Sequence, residues 1–181
     1  MDIQQLPDED LAIYVREVDP NAYHEIVSRY EAPLLLYAQG MLSNQLISHE
    51  VTQEAFIEIY KNINAFNAKF RFSNFAYRFA HNALKKKLKN RRLDFGEYEE
   101  IIEEFKGEDN LEQEFSDNEL VLHVKKYLHK LPVKLKEGLV LHFIAQKSYD
   151  EISEILQIPV SSVLTRVGLG KKLIKNHAKS T

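Results

Sequence analysis

Cysteine is absent from this 181-residue chain, which excludes disulfides, thiolate nucleophiles and cysteine-based zinc sites. Glycine is scarce, and none of the six falls in a phosphate-cradling pattern. Long apolar runs are missing too. Stretches such as Leu34-Leu35-Leu36-Tyr37-Ala38 are the size of a core segment, well short of a membrane span, so no membrane insertion is expected. The opening Met1-Asp2-Ile3-Gln4-Gln5 has neither the positive charge nor the apolar core of a signal peptide, and a cytoplasmic location is expected. Seven histidines are scattered along the chain without His-Glu-x-x-His or other close ligand spacing, so neither a metal nor another cofactor is expected. The densest carboxylates lie where no scaffold would fix their pKa values for acid–base work, and no enzyme activity is expected.

Acidic residues are missing from one stretch in particular. Residues 60–92 carry ten Lys or Arg and no Asp or Glu, whereas residues 93–119 carry twelve acids and the single cation Lys106. Formal charge runs −9 over 1–59, +10 over 60–92, −11 over 93–119 and +7 over 120–181, so the net −3 hides two basic segments separated by an acidic one. Basic segments attract polyanions, and an acidic segment either stays solvated or covers a basic surface.

Helical periodicity dominates, with no alternation of the strand type. Leu11, Val15 and Val18 mark a first short helix. Asp19-Pro20 caps and opens a second, whose buried stripe is Tyr23, Ile26, Val27, Tyr30, Leu34 and Tyr37, with a kink or break expected at Pro33. A third helix is expected from about Ser48 to Asn62, burying Val51, Ala55 and Ile59. After a loop at 64–71 a fourth runs from Phe72 to about Arg91, with Phe72, Phe75, Phe79 and Ala83 on one face. The acidic stretch reads as a linker. Beyond it, Leu131-Pro132 opens a helix burying Leu135, Leu139 and Phe143. Ser148 and Glu151 form a capping box on a short helix with Ile152, Ile155 and Leu156 inward. After Gln157-Ile158-Pro159 a last helix starts near Ser161, with Val163, Val167, Leu173 and Ile174 inward. The expected fold is all-α: two small helical domains, 1–92 and 120–181, joined by the flexible acidic linker 93–119.

Two regions carry chemistry. In the first, Phe66, Phe70, Phe72, Phe75, Tyr77 and Phe79 are interleaved with Lys69, Arg71 and Arg78 and with Asn64, Asn67 and Asn74. Rings that stack on bases beside cations that track a backbone are what single-stranded nucleic acid requires, at about 1–3 kcal/mol per stacked base. Phe72, Phe75 and Phe79 sit at core spacing and read as packing; Phe66, Phe70 and Tyr77 lie off that stripe. The following Lys85, Lys86, Lys87 and Lys89 suit phosphates or a solvated helix end equally. In the second region, two helices, a tight turn and a basic last helix make either a helix-turn-helix reader of the major groove or an ordinary helical hairpin. Its candidate base contacts are Ser161, Ser162, Thr165 and Arg166, with Lys171 and Lys172 placed for phosphates.

In this order and at these separations the segments resemble the extracytoplasmic-function sigma factors of bacterial RNA polymerase. Glu50-Val-Thr-Gln53-Glu54-Ala-Phe56 is similar to the family's acidic motif that docks the polymerase clamp. Phe72-Ser-Asn-Phe75-Ala-Tyr77-Arg78-Phe79-Ala80-His81-Asn82 resembles its promoter-melting helix. Leu131-Pro132 through Ser148-Tyr149-Asp150-Glu151-Ile152, with Val163-Leu-Thr-Arg166, resembles its minus-35-binding domain.

The resemblance implies that Glu50, Gln53, Glu54 and Phe56 bind the beta-prime clamp of core RNA polymerase. It further implies that Asn64, Phe66, Asn67, Lys69, Arg71, Asn74, Tyr77, Arg78, His81, Lys85, Lys86 and Lys89 meet the minus-10 element. The second domain would bind the beta flap and place its last helix on minus-35 DNA, and an anti-sigma factor is an implied partner. The chain departs from the family pattern at Leu164 and Leu169, at Gln157 in the turn, at Phe75 and at Lys86, and it carries Gly168 and Gly170 inside the recognition helix. Those departures keep a second reading in view: a sigma-like regulatory protein that binds polymerase or a regulator without reading promoters. A general single-strand-binding module is a third.

Overall fold

The computed structural model describes residues 2–90 and 126–179, and every regular element among them is helical. The whole of the expected acidic linker, 93–119, and the residues flanking it lie outside the described residues. α1 (Asp8–Glu17) places Asp8, Glu9 and Asp10 in its first turn, where negative charge meets the positive end of the helix dipole. Leu11, Ala12 and Val15 are buried. Val18, expected on the same stripe, is the residue that ends the helix and is 65% exposed, because the chain leaves the helical path there.

The Asp19 carboxylate accepts from the Asn21 N–H at 2.9 Å, and Pro20 opens a short 3-10 turn into α2 (Tyr23–Met41). Ile26, Tyr30, Leu34 and Tyr37 are buried as the stripe requires, with Tyr23 and Val27 half-buried. Pro33 does not break the helix. It removes one backbone donor, but buried residues on both sides hold the helical path. α3 (Gln45–Asn62) begins three residues before Ser48, because Asn44 caps it by accepting from the Ile47 N–H at 3.1 Å. Ser43-Asn44-Gln45 thus ends one helix and starts the next. α4 (Phe72–Asn90) lies against α3 and α2.

The second half opens with a 3-10 turn (Leu128–Lys130) and α5 (Val133–Leu139), which continues as a π-helical turn (Val140–Ile144). The wider turn moves Phe143 off the buried face, and it is half-buried rather than core. The Ser148–Glu151 capping box is formed in both directions and starts α6 (Tyr149–Leu156). Gln157 takes the left-handed conformation (φ 56°) that a glycine would adopt without cost, and α7 (Val160–Lys179) follows. Val163, Val167 and Ile174 are buried against α5 and α6, with Leu173 half-buried. Gly170 has a steric role there: a Cβ on it would come within 2.6 Å of Leu139 Cδ1, so α5 and α7 cross closely because this position has no side chain. The two halves are in contact, α6 against α4 and the π-helical turn against α2, and their apolar faces form one continuous core.

Candidate nucleic-acid interface

The aromatic, basic segment is held from several sides. Ile63–Ala65 forms a 3-10 turn, and the Phe66 carbonyl accepts from Arg16 Nη1 at 3.2 Å. Asn67 organises the loop tip, its side chain accepting from the Lys69 N–H and its carbonyl from the Phe70 N–H, both at 3.0 Å. Glu9 on α1 accepts from the Phe72 N–H at 2.9 Å, which satisfies a donor at the start of α4. The loop is therefore a fixed feature of the first domain.

The structure divides the expected site residues. Phe66 is buried, edge-on to Phe72 and Phe75 at centroid distances of 5.2 and 5.3 Å. Tyr77 is buried against Tyr37 at 5.7 Å, and burial pushes its phenol up to about 12. Phe70 is the ring left open, 58% exposed. Asn64, Asn67, Lys69 and Arg71 are exposed beside it. Between loop and helix lies a cleft of about 320 Å³ lined by Phe66, Asn67, Phe70, Arg71, Asn74, Phe75 and Arg78. Arg78 lies 5.7 Å over the Phe75 ring, which holds its charge at the cleft wall. Glu154 and Gln157 of the second half also line this cleft. No local sequence signal marks them, since their role depends on how the halves pack.

Farther along α4, Lys85 and Lys89 are exposed, whereas Lys86 and Lys87 bridge to Glu54 and Glu50 of α3. The Glu54 carboxylate raises the Lys86 pKa above its usual value. His81 is buried, its Nδ1 3.2 Å from the Tyr37 hydroxyl and 3.8 Å from Glu137 Oε1. Burial lowers its pKa to about 4, so the imidazole is neutral near pH 7 and its approach to Glu137 is not an ion pair.

α3 carries a second surface. Glu50 and Gln53 are exposed and Glu54 is half-buried, while Phe56 is buried with its carbonyl accepting from the Tyr23 hydroxyl at 2.7 Å. Leu46, Ile57 and Tyr60 are exposed and continue the face of Glu50 and Gln53 at spacings of three and four. A groove lined by Pro20, Tyr23, His24, Phe56, Ile57 and Tyr60 runs beside it. The sequence reading missed Leu46, Ile57 and Tyr60, although their spacing was visible: apolar residues off the buried stripe of α3.

On α7, Ser161 and Thr165 are exposed in the first turns and Ser162 is half-buried. The Thr165 hydroxyl donates to the Ser161 carbonyl at 2.9 Å. Arg166 is half-buried, with Nη1 3.7 Å from Glu137 Oε2. Lys171 lies 5.2 Å over the Phe143 ring, and Lys172 is half-buried beside it. Among the described residues no cluster of three or more His, Cys, Asp or Glu could hold a metal, and no helix is long and apolar enough to cross a membrane.

Fold and surfaces together define a two-domain helical protein with a cation-lined aromatic cleft in one half and a helix-turn-helix in the other. Residues 26–93 match the Sigma-70 region 2 family and residues 124–174 match Sigma-70, region 4. The chain is 29% identical over 178 residues to the ECF RNA polymerase sigma factor SigW of Bacillus subtilis, covering 91% of this chain and 93% of the relative. It is 29% identical over 185 residues to the ECF RNA polymerase sigma-E factor of Haemophilus influenzae, covering 96% of each. Among solved structures, CnrH in complex with the cytosolic domain of CnrY shares the fold at a TM-score of 0.70 and 18% identity, over 96% of this chain and 97% of that one. RpoE in complex with the anti-sigma factor NepR from Bartonella quintana does so at 0.64 and 12%, over 87% and 96%. The chain belongs to the extracytoplasmic-function sigma factors, non-enzymatic factors that bring RNA polymerase to promoter DNA.

Proposed function

We propose that residues 1–92 dock core polymerase and open the minus-10 element, and that residues 120–181 bind the beta flap and the minus-35 element, with 93–119 spanning between them. The observation that carries this reading is the cleft at the start of α4, where Phe70, Asn67, Arg71 and Arg78 present an open ring, an amide and two cations. An extruded base entering it would stack on Phe70 while Arg71 and Lys69 meet its phosphates. The exposed face of α3, acidic at Glu50 and Glu54, polar at Gln53 and apolar at Leu46, Ile57 and Tyr60, suits a basic clamp surface with an apolar centre. Tethering the two DNA-binding modules on one polymerase raises the effective concentration of each.

Phe66, Asn74, Tyr77 and His81 keep the role of shaping the cleft and its supporting helix rather than meeting DNA first, because they are buried. Ser161, Ser162 and Thr165 lie at the N-terminal end of α7, the part of a recognition helix that meets base edges. A cytoplasmic location follows from work on RNA polymerase. An anti-sigma partner is part of the reading, since one of the similar solved chains is bound to one.

Run-off transcription with core polymerase on genomic fragments tests the proposal. Discrete start sites that require this chain are the expected result. Stable polymerase binding with no initiation on any fragment would favour the sigma-like regulator instead.

A further inference from the structure

α7 exposes a leucine on its outer face. Val163, Val167 and Ile174 are buried against α5 and α6, so the helix turns Ser161, Leu164 and Thr165 outward. The half-buried Gly168 and Lys172 come next on the same face, at spacings of three and four. Leu164 is 49% exposed and is one of the positions at which the chain departs from the family pattern. Gly168 adds no side chain that would hold a partner away from it.

A lone exposed leucine carries no argument, but the groups around this one do. Arg166 is the only cation in the first two turns of α7, and it leans off the outer face toward Glu137, 3.7 Å from Oε2 with its side chain only 16% exposed. The Thr165 O–H donates back to the Ser161 carbonyl at 2.9 Å, which leaves its methyl group to face a partner. The middle of this face is therefore apolar where a guanine would call for a cationic donor. Among the base edges of the major groove, the apolar group is the C5 methyl of thymine.

We propose that Leu164 is a specificity-determining residue: it packs on a thymine C5 methyl in the minus-35 element, so this chain selects an A·T pair there by apolar contact. The inference rests on the proposed placement of α7 on minus-35 DNA and deepens it. Cytosine lacks the methyl, and a purine at the same place presents polar groups that Leu164 cannot satisfy. The departure from the family pattern at Leu164 is then a change of preferred base rather than a loss of binding.

The test uses the full chain on core polymerase and a promoter fragment recovered by run-off transcription. Each thymine of the minus-35 window, on either strand, is replaced in turn by deoxyuridine, which keeps the pairing and removes only the methyl. Binding of holoenzyme to each duplex is measured for wild type, Leu164→Ala and Leu164→Met. At one thymine the wild type should lose about fourfold in affinity, the worth of one buried methyl group. Leu164→Ala should bind the normal duplex more weakly and show no further loss with deoxyuridine, and Leu164→Met should restore the sensitivity. Because Leu164 lies on the surface, both variants should match wild type in circular dichroism and in assembly with polymerase.

A wild-type holoenzyme indifferent to every deoxyuridine, or a minus-35 window without an A·T pair, overturns the inference. So does an equal loss in Leu164→Ala, which would make Leu164 a contact to something other than this methyl. In those outcomes the proposed function stands as long as scrambling the minus-35 window weakens wild-type binding. If scrambling has no effect, or no fragment yields a start site, the reading of α7 as the minus-35 helix fails and the inference with it.

Discussion

Glu137 shows how one residue couples the halves to pH. It is 4% exposed, and burial outweighs the nearby Arg166 and Lys85, raising its pKa from 4.5 to about 7. Its contribution to stability is therefore fully present below 4.5 and is lost as pH rises through about 7. His81 runs the other way: its contribution is present above 6.5 and is lost as pH falls through about 4. The His81 contribution is complete above 6.5, whereas that of Glu137 is still being lost up to about 7, so Glu137→Gln should gain melting temperature relative to wild type between about pH 6 and about pH 8. Thermal unfolding at the two pH values checks this, and an unchanged difference would mean that the carboxyl is hydrated.

Gly170 makes a second prediction at this scale. In an open helix Gly170→Ala would stabilise by about 1 kcal/mol. Here the new methyl meets Leu139, and overpacking of about 1–3 kcal/mol should win, lowering the melting temperature. From sequence this glycine was only a weak spot in a recognition helix, because close helix crossing leaves no local signature. Phe66 and Tyr77 were illegible for a related reason: they lie off the helical stripe, yet neighbouring elements fold over them.

At the scale of elements, α3 and α4 form a paired unit whose charges face each other. Glu50 and Glu54 bridge to Lys87 and Lys86, in exposed pairs that add little to stability. Glu50→Lys with Glu54→Lys should therefore leave helicity unchanged while placing like charge against the basic clamp surface proposed to dock α3, a change that should cost several kcal/mol of binding. Loss of holoenzyme in gel filtration is the expected outcome, and wild-type assembly would remove α3 from the docking surface. The long helices were legible because their stripes run for several turns and their caps, Asp19 and Ser148–Glu151, use standard chemistry. Boundaries were less so. The third helix was expected from about Ser48 although Asn44 caps it three residues earlier, a kink or break was expected at Pro33 within a helix that runs through it, and nothing in Val140–Ile144 announces a π-helical turn.

For the molecule as a whole, the charge blocks set two basic segments on either side of an acidic one, and the family matches, over residues 26–93 and 124–174, overlap both basic segments. How the modules pack was not legible. Lys147 and Glu154 carry no local signal in the sequence, and only the structure brings them against Asn74 across the interface. The measurement that tests the account most directly is permanganate footprinting of a promoter bound by holoenzyme. Wild type should make minus-10 thymines reactive. Changing Asn67, Phe70 and Arg71 together to Ala should abolish that reactivity while polymerase binding is retained, because these residues supply the exposed amide, ring and cation of the cleft. Full melting by the triple variant would contradict the assignment of this cleft to the opened strand.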